Sequence, residues 1–303
     1  MQLTPETTAF GRHETFALRY GWLTKGFLAL KADCSVFESD EATVQLGVGK
    51  NMVSSIRYWL RACQLIEVSS NQPTDLGELI FDPGTGLDPY LEDEATIWLL
   101  HWLLASNPKQ ATTWFWFFNK FHKSHFETTE LIDALKEYVS ENVKSKVSPS
   151  TLKNDISALT RMYTKSKVNG KLPAEESLDS PFSVMGLITN THSGYDSTPN
   201  YRDQLPAAIF AFAVTQFFET QNTTSIPLEQ IMYSRTHQVA PGAIFRLVET
   251  DVVNKLEDMI SLIPNTYEIR DVAGQLQIFK TGNVEAAEYL RRYYTGINQE
   301  VTS

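Results

Sequence analysis

Between Lys50 and Cys63 the apolar residues Val53, Ile56, Leu60 and Cys63 recur at helical spacing. On another side of the same segment Lys50, Ser54, Arg57 and Arg61 recur at i, i+4, i+7 and i+11. The pattern predicts an amphipathic helix with a cationic stripe. A shorter helical stretch precedes it, and Gly47-Val48-Gly49 between them gives the backbone freedom for a tight corner. Two short apolar runs follow, LIEV and TDLGELIF, separated by a polar loop, and read as strands. Helix, turn, helix and two strands over Ser39–Phe81 predict a winged helix-turn-helix, a module whose second helix enters the major groove of DNA. Two arginines and a lysine with Asn51, Ser54 and Ser55 suit phosphates and base edges. A merely solvated face would show the same stripe.

From Leu91 the pattern turns helical, with Ile97, Leu100, Leu103 and Leu104 on one face beside Trp98 and Trp102, until Asn107-Pro108 breaks it. The run TTWFWFFNKF, 112–121, reads as buried core rather than a base-stacking platform. Helices are predicted over Thr129–Asn142 and Ser148–Lys165, the second opened by a capping serine and a proline. Leu152, Ile156 and Leu159 face inward there, and Lys153, Arg161 and Lys165 outward. Residues 166–204 form a turn-rich connector, with a short strand over Phe182–Ile188. Beyond it the order resembles a second winged helix. Helical stretches at Leu205–Thr220, Pro227–Tyr233 and Val248–Ile263 precede a hairpin, Thr266–Asp271 and Gln275–Lys280, and a helix over Asn283–Tyr294 closes the chain.

The expected fold class is mainly α with small β-hairpins (α+β). Its expected parts are an N-terminal segment plus winged-helix DNA-binding domain (1–90), a central basic helical region and connector (91–200), and an acidic winged-helix-like domain (201–303). A chain of 303 residues with 42% hydrophobic and 12% aromatic content fills more than one core. No apolar run reaches the roughly 18 residues of a membrane span, and the start lacks the basic-then-apolar order of a signal peptide. Cys34 and Cys63 read as reduced thiols of a cytoplasmic protein.

Net charge is −10, but it is unevenly spread. Residues 1–108 carry 7 Lys+Arg against 14 Asp+Glu, 109–171 carry 11 against 6, and 172–303 carry 8 against 16. A local basic surface between acidic flanks favours selective over bulk binding of DNA; lysines that only solubilise helices give the same tally. In the C-terminal part Val248–Ile263 carries Glu249, Asp251, Glu257 and Asp258 against Lys255 alone, which repels DNA and points to protein contact.

GVGK at 47–50 is not a phosphate-binding loop. Val44 stands where that motif needs its first glycine, and Asn51 where it needs Ser or Thr. No PD…(D/E)xK pattern, His-Asn-His arrangement or Asp-rich two-metal set is legible. His122 and His125, at i and i+3, lack a carboxylate at helical spacing, with Glu127 in the next loop as the nearest.

The combination GRHETFALRYGWLTKGF (11–27) with LGVGKNMVSSIRYWL (46–60) resembles a bacterial family long filed as a domain of unknown function, found in single-stranded DNA phosphorothioation systems. Weaker matches continue through SPSTLKNDISALTRMY, LDSPFSVMGLI and APGAIFRL. The resemblance implies an SspB-like DNA nickase, which cuts one strand so that sulfur replaces a phosphate oxygen. It implies as partners a cysteine desulfurase, an ATPase and a further ATP-using or sulfurtransfer component. On that reading Arg12, His13, Glu14 and Arg19 are the catalytic candidates. They would serve as a phosphate-binding cation, a base or metal ligand, a metal ligand and a second cation. Lys25, Lys50, Asn51, Ser54, Arg57 and Arg61 would contact DNA. Mg²⁺ or Mn²⁺ is the expected cofactor, with ligands the sequence does not identify. Two alternatives stay open. Arg12 to Arg19 can be an arginine–glutamate network that clamps the N-terminal segment onto the winged helix, and the protein can be a non-catalytic winged-helix DNA-binding scaffold or regulator that recruits partners.

Overall fold

The computed structural model describes residues 1–165, 180–235 and 237–301, the last five of these as backbone only. The expected connector lies partly outside them. Contacts divide the chain into a larger unit, Leu3–Phe117 with Phe121–Thr198, and a smaller one, Met1–Gln2 with Phe118–Lys120 and Pro199–Ser303.

In the larger unit α1 (Trp22–Ala32), α2 (Ala42–Leu46) and α3 (Lys50–Ala62) pack together. Gly47 closes α2 in the left-handed region (φ 60°), as the turn requires. Val53, Ile56 and Leu60 of α3 are buried, as their spacing predicts. The expected wing does not form. After α3 only Ile66 and Pro73 bridge, around a turn in which Glu67 N–H donates to Gln72 O (2.8 Å). TDLGELIF is helix α4 (Asp75–Phe81), capped by Thr74 Oγ1 accepting from Gly77 N–H at 3.0 Å. Gly77 weakens the helical signal, yet it is required. A Cβ there would lie 2.1 Å from Leu65 O, so helix and turn approach closer than any side chain allows.

Helix α5 (Glu94–Ala105) is buried on all sides from Ala95 onward and forms the centre of the core, as an all-round apolar helix must. Helix α6 (Thr112–Lys120) buries Trp114, Phe115, Trp116 and Phe117. Strand β1 (His125–Phe126) leads into α7 (Thr128–Asn142), capped by a reciprocal Glu127–Glu130 box. Helix α8 (Pro149–Tyr163) starts at Ser148, whose Oγ accepts from Thr151 N–H. The short strand expected over Phe182–Ile188 is instead a 3-10 turn, Pro181–Met185, followed by β2 (Thr189–Asn190) and β3 (Tyr195–Asp196) in an antiparallel sheet of order β1-β3-β2.

The smaller unit runs α9 (Ala207–Gln221), β4 (Ser225–Pro227), α10 (Leu228–Met232), α11 (Pro241–Ile244), α12 (Glu249–Leu262), β5 (Tyr267–Val272), β6 (Gln275–Lys280) and α13 (Ala286–Val301). Its sheet is antiparallel in the order β4-β6-β5, with Ile226 and Ile269 both opposite Ile278. The predicted hairpin forms, and its turn is the two residues Ala273 and Gly274, both at positive φ, with Val272 belonging to β5. The buried helix α9 packs on α12 and α13. Among the described residues no helix is long and apolar enough to cross a membrane.

A candidate phosphate-binding groove

The segment Gly11–Arg19 is not helical. It is a sequence of turns anchored by His13. That side chain, expected beside Arg12 and Glu14 as a base or metal ligand, is fully buried. Its Nε2 lies 2.9 Å from Asp155 Oδ1, and its ring stacks on Trp59 and meets Trp114 edge-on. Asp155, on α8, also accepts from Gly11 N–H (2.8 Å) and Thr113 Oγ1 (2.6 Å). Ser55 Oγ, on α3, donates to His13 O (3.1 Å). Three helices thus grip the residue between Arg12 and Glu14.

Neighbouring side chains cannot all point inward, and with His13 buried Arg12 and Glu14 are exposed. Both line a groove of about 410 Å³ whose other charged and polar walls include Ser54, Arg57 and Arg61 of α3 and Lys109 of the α5–α6 loop. Four cations face one carboxylate, Glu14, among the described lining residues. Arg61 is fixed by donating to Asn71 Oδ1 at 2.7 Å. Burial first and the neighbouring Arg57 second hold its guanidinium below the ordinary arginine value. Tyr58 walls the groove, its hydroxyl donating to Gln110 O (3.0 Å); burial holds that phenol well above the usual range. Such an array offers charge-assisted donors to an anion.

The other candidates lie elsewhere. Lys50 and Asn51 are exposed in the first turn of α3 but do not line the groove. Lys25 donates to Leu46 O (3.3 Å), and Arg19 stacks over Phe16 and Trp22. His125 Nδ1 lies 2.6 Å from Asp196 Oδ2. Among the described residues no three His, Cys, Asp or Glu side chains are grouped to hold a metal.

Asp155, Thr113 and Lys109 were missed in the sequence. Asp155 left a signal: it sits at i+3 on the apolar stripe Leu152-Ile156-Leu159, where a carboxylate is buried only if its oxygens are satisfied.

Residues 10–294 match the family described as "Protein of unknown function (DUF4007)". Two solved structures, a magnesium ion-bound SspB crystal structure and an SspB crystal structure, are each similar at 30% identity with a TM-score of 0.82. The similarity covers 96% of this chain and 89% of each of those. No curated protein matches.

Proposed function

Because this chain belongs to the SspB-like family, we propose that it binds DNA and nicks one strand in a phosphorothioation system. The observation that carries this reading is the groove that gathers Arg12, Glu14, Ser54, Arg57, Arg61 and Lys109. A scissile phosphate would sit among the arginines and Lys109, whose fixed charges stabilise the negative charge that builds up as the phosphodiester is attacked. Asn71 keeps Arg61 in place for that task. His13 acts through position: gripped by Asp155 and Ser55, it sets where Arg12 and Glu14 stand.

One carboxylate in a cationic groove fits Mg²⁺ or Mn²⁺ only together with phosphate oxygens and water, the manner in which Mg²⁺ is ordinarily held at phosphate sites. Glu14 would be its protein ligand. When bound, the ion would polarise the phosphate and lower the pKa of a water.

The α9–β4–α10–α11–α12–β5–β6 order, with β4-β6-β5 sheet pairing, supports a winged-helix reading of the smaller unit. The α2–turn–α3 pair supports a wingless helix-turn-helix in the larger one. A cysteine desulfurase and an ATPase remain the proposed partners.

The test is supercoiled plasmid incubated with the purified protein and Mg²⁺ or Mn²⁺. Open-circular product that disappears with Glu14→Gln, while DNA binding persists, supports nicking at this site. Absence of nicked product under either metal refutes it. The groove's excess of cations over carboxylates also favours a second reading, a non-catalytic DNA-binding scaffold. That reading predicts salt-sensitive binding without strand breaks.

A further inference from the structure

The smaller unit carries a groove of its own, about 400 Å³, between α10, the first residue of α12 and the β5–β6 turn. Met232, Tyr233 and Leu276 give it an apolar lining, and its charged lining groups among the described residues are Glu229 and Glu249. Tyr233 is 56% exposed and Leu276 36%. Exposed apolar side chains scattered singly mean little, but around one concave, acid-rimmed groove they mark a contact surface.

Acidic groups predominate around it. Glu257 and Asp258 continue the exposed acidic surface along α12. Lys255, that helix's lysine, is buried and spent on Leu205 O (2.9 Å). Arg235 lies 3.6 Å from Glu229, but both are mostly exposed, and such a pair holds little energy. A phosphate backbone would be repelled here, whereas an ammonium or guanidinium would find two carboxylates and an apolar floor beside them.

We propose that this groove docks a basic segment of a partner protein, with one large apolar side chain on Met232, Tyr233 and Leu276 and flanking cations at Glu229 and Glu249. The inference does not depend on cleavage by the other unit, and its test leaves that activity as an independent control.

Fluorescence anisotropy on the full chain, with a short labelled peptide of alternating leucine and lysine, tests it. Saturable binding is expected, weakened about tenfold by Leu276→Ser and by Glu249→Gln, with unchanged circular dichroism melting and unchanged plasmid nicking or DNA binding. The same peptide with glutamate in place of lysine is expected not to bind. Equal affinity in the variants, or equal binding of the acidic peptide, overturns the proposal. So does duplex DNA that displaces the peptide competitively, or self-association in light scattering that Leu276→Ser abolishes, which would make a second copy the occupant.

Discussion

Replacing Asp155 with alanine removes one side chain that satisfies three donors at once: His13 Nε2 at 2.9 Å, Gly11 N–H at 2.8 Å and Thr113 Oγ1 at 2.6 Å. Asp155 is 1% exposed, and His13 and Thr113 are completely buried, so no solvent replaces the acceptor for these two donors. A buried donor left unpaired costs about 1–3 kcal/mol. Losses inside one network do not simply add, so Asp155→Ala is expected to cost about 3–5 kcal/mol. For a unit of this size that lowers Tm by about 6–20 °C, at about 2–4 °C per kcal/mol. Thermal unfolding by circular dichroism, repeated in urea, reads it. Asp155→Asn keeps one carbonyl acceptor and is expected to lose less. Because the network fixes the residue between Arg12 and Glu14, Asp155→Ala protein held below its lowered Tm is also expected to bind DNA more weakly. An Asp155→Ala Tm within about 2 °C of wild type would show that the anchor contributes little and does not set the groove's geometry.

Gly77→Ala tests the close approach of α4 to Leu65. Helix propensity alone predicts a gain of about 1 kcal/mol, whereas a Cβ 2.1 Å from Leu65 O predicts a loss of about 1–3 kcal/mol or more, so the sign of the urea midpoint shift decides. If the groove holds phosphates, Arg57→Ala and Lys109→Ala each reduce the slope of log affinity against log salt by about one, and Lys50→Ala reduces it less; equal slopes for all three would place DNA elsewhere. Burial pushes the Lys120 ammonium down to about 8, although Arg235 O accepts from it at 2.6 Å. Its pKa lies below the 10.5 of a free lysine, so the unfolded chain binds more protons between about 8 and 10.5. Stability therefore gains from this group as pH rises through that window. Lys120→Met is expected to remove that gain relative to wild type, and parallel pH–stability curves for the two proteins would refute it.

Periodicity located most of the long helices, though not α1 or α6, because apolar residues at i, i+3, i+4 and i+7 favour one compact solution. It failed where short elements take their conformation from tertiary contact. Thr74–Phe81 is a short apolar run with a glycine inside it and reads as a strand, although Leu76, Leu79 and Ile80 hold helical spacing; the cap at Thr74 and the packing of Gly77 on Leu65 make it a helix. The cationic stripe on α3 was legible, but only part of it lines the groove. Arg12 and Glu14 approach Arg57 and Arg61 through the fold, with α8 supplying Asp155 more than 140 residues away. No local pattern encodes that meeting.

The backbone is strained at the same place. Glu14 and Thr15 both have positive φ, 49° and 66°, and Thr15 is β-branched, for which this region is strained by about 1–3 kcal/mol. The surroundings hold the strained turn from several sides: Phe16 N–H donates to His13 O (2.8 Å), Ser55 Oγ to the same carbonyl, and Arg161 Nη2 to Thr15 O (2.6 Å). A segment that served only as a clamp would fold more cheaply with glycine at these positions. The chain instead keeps side chains there and turns them outward around a buried imidazole, so that a carboxylate and an arginine two residues apart reach one groove. That arrangement makes sense if the position of Glu14 matters more than the stability it costs, as it does at a site where a carboxylate must meet a phosphate held by arginines.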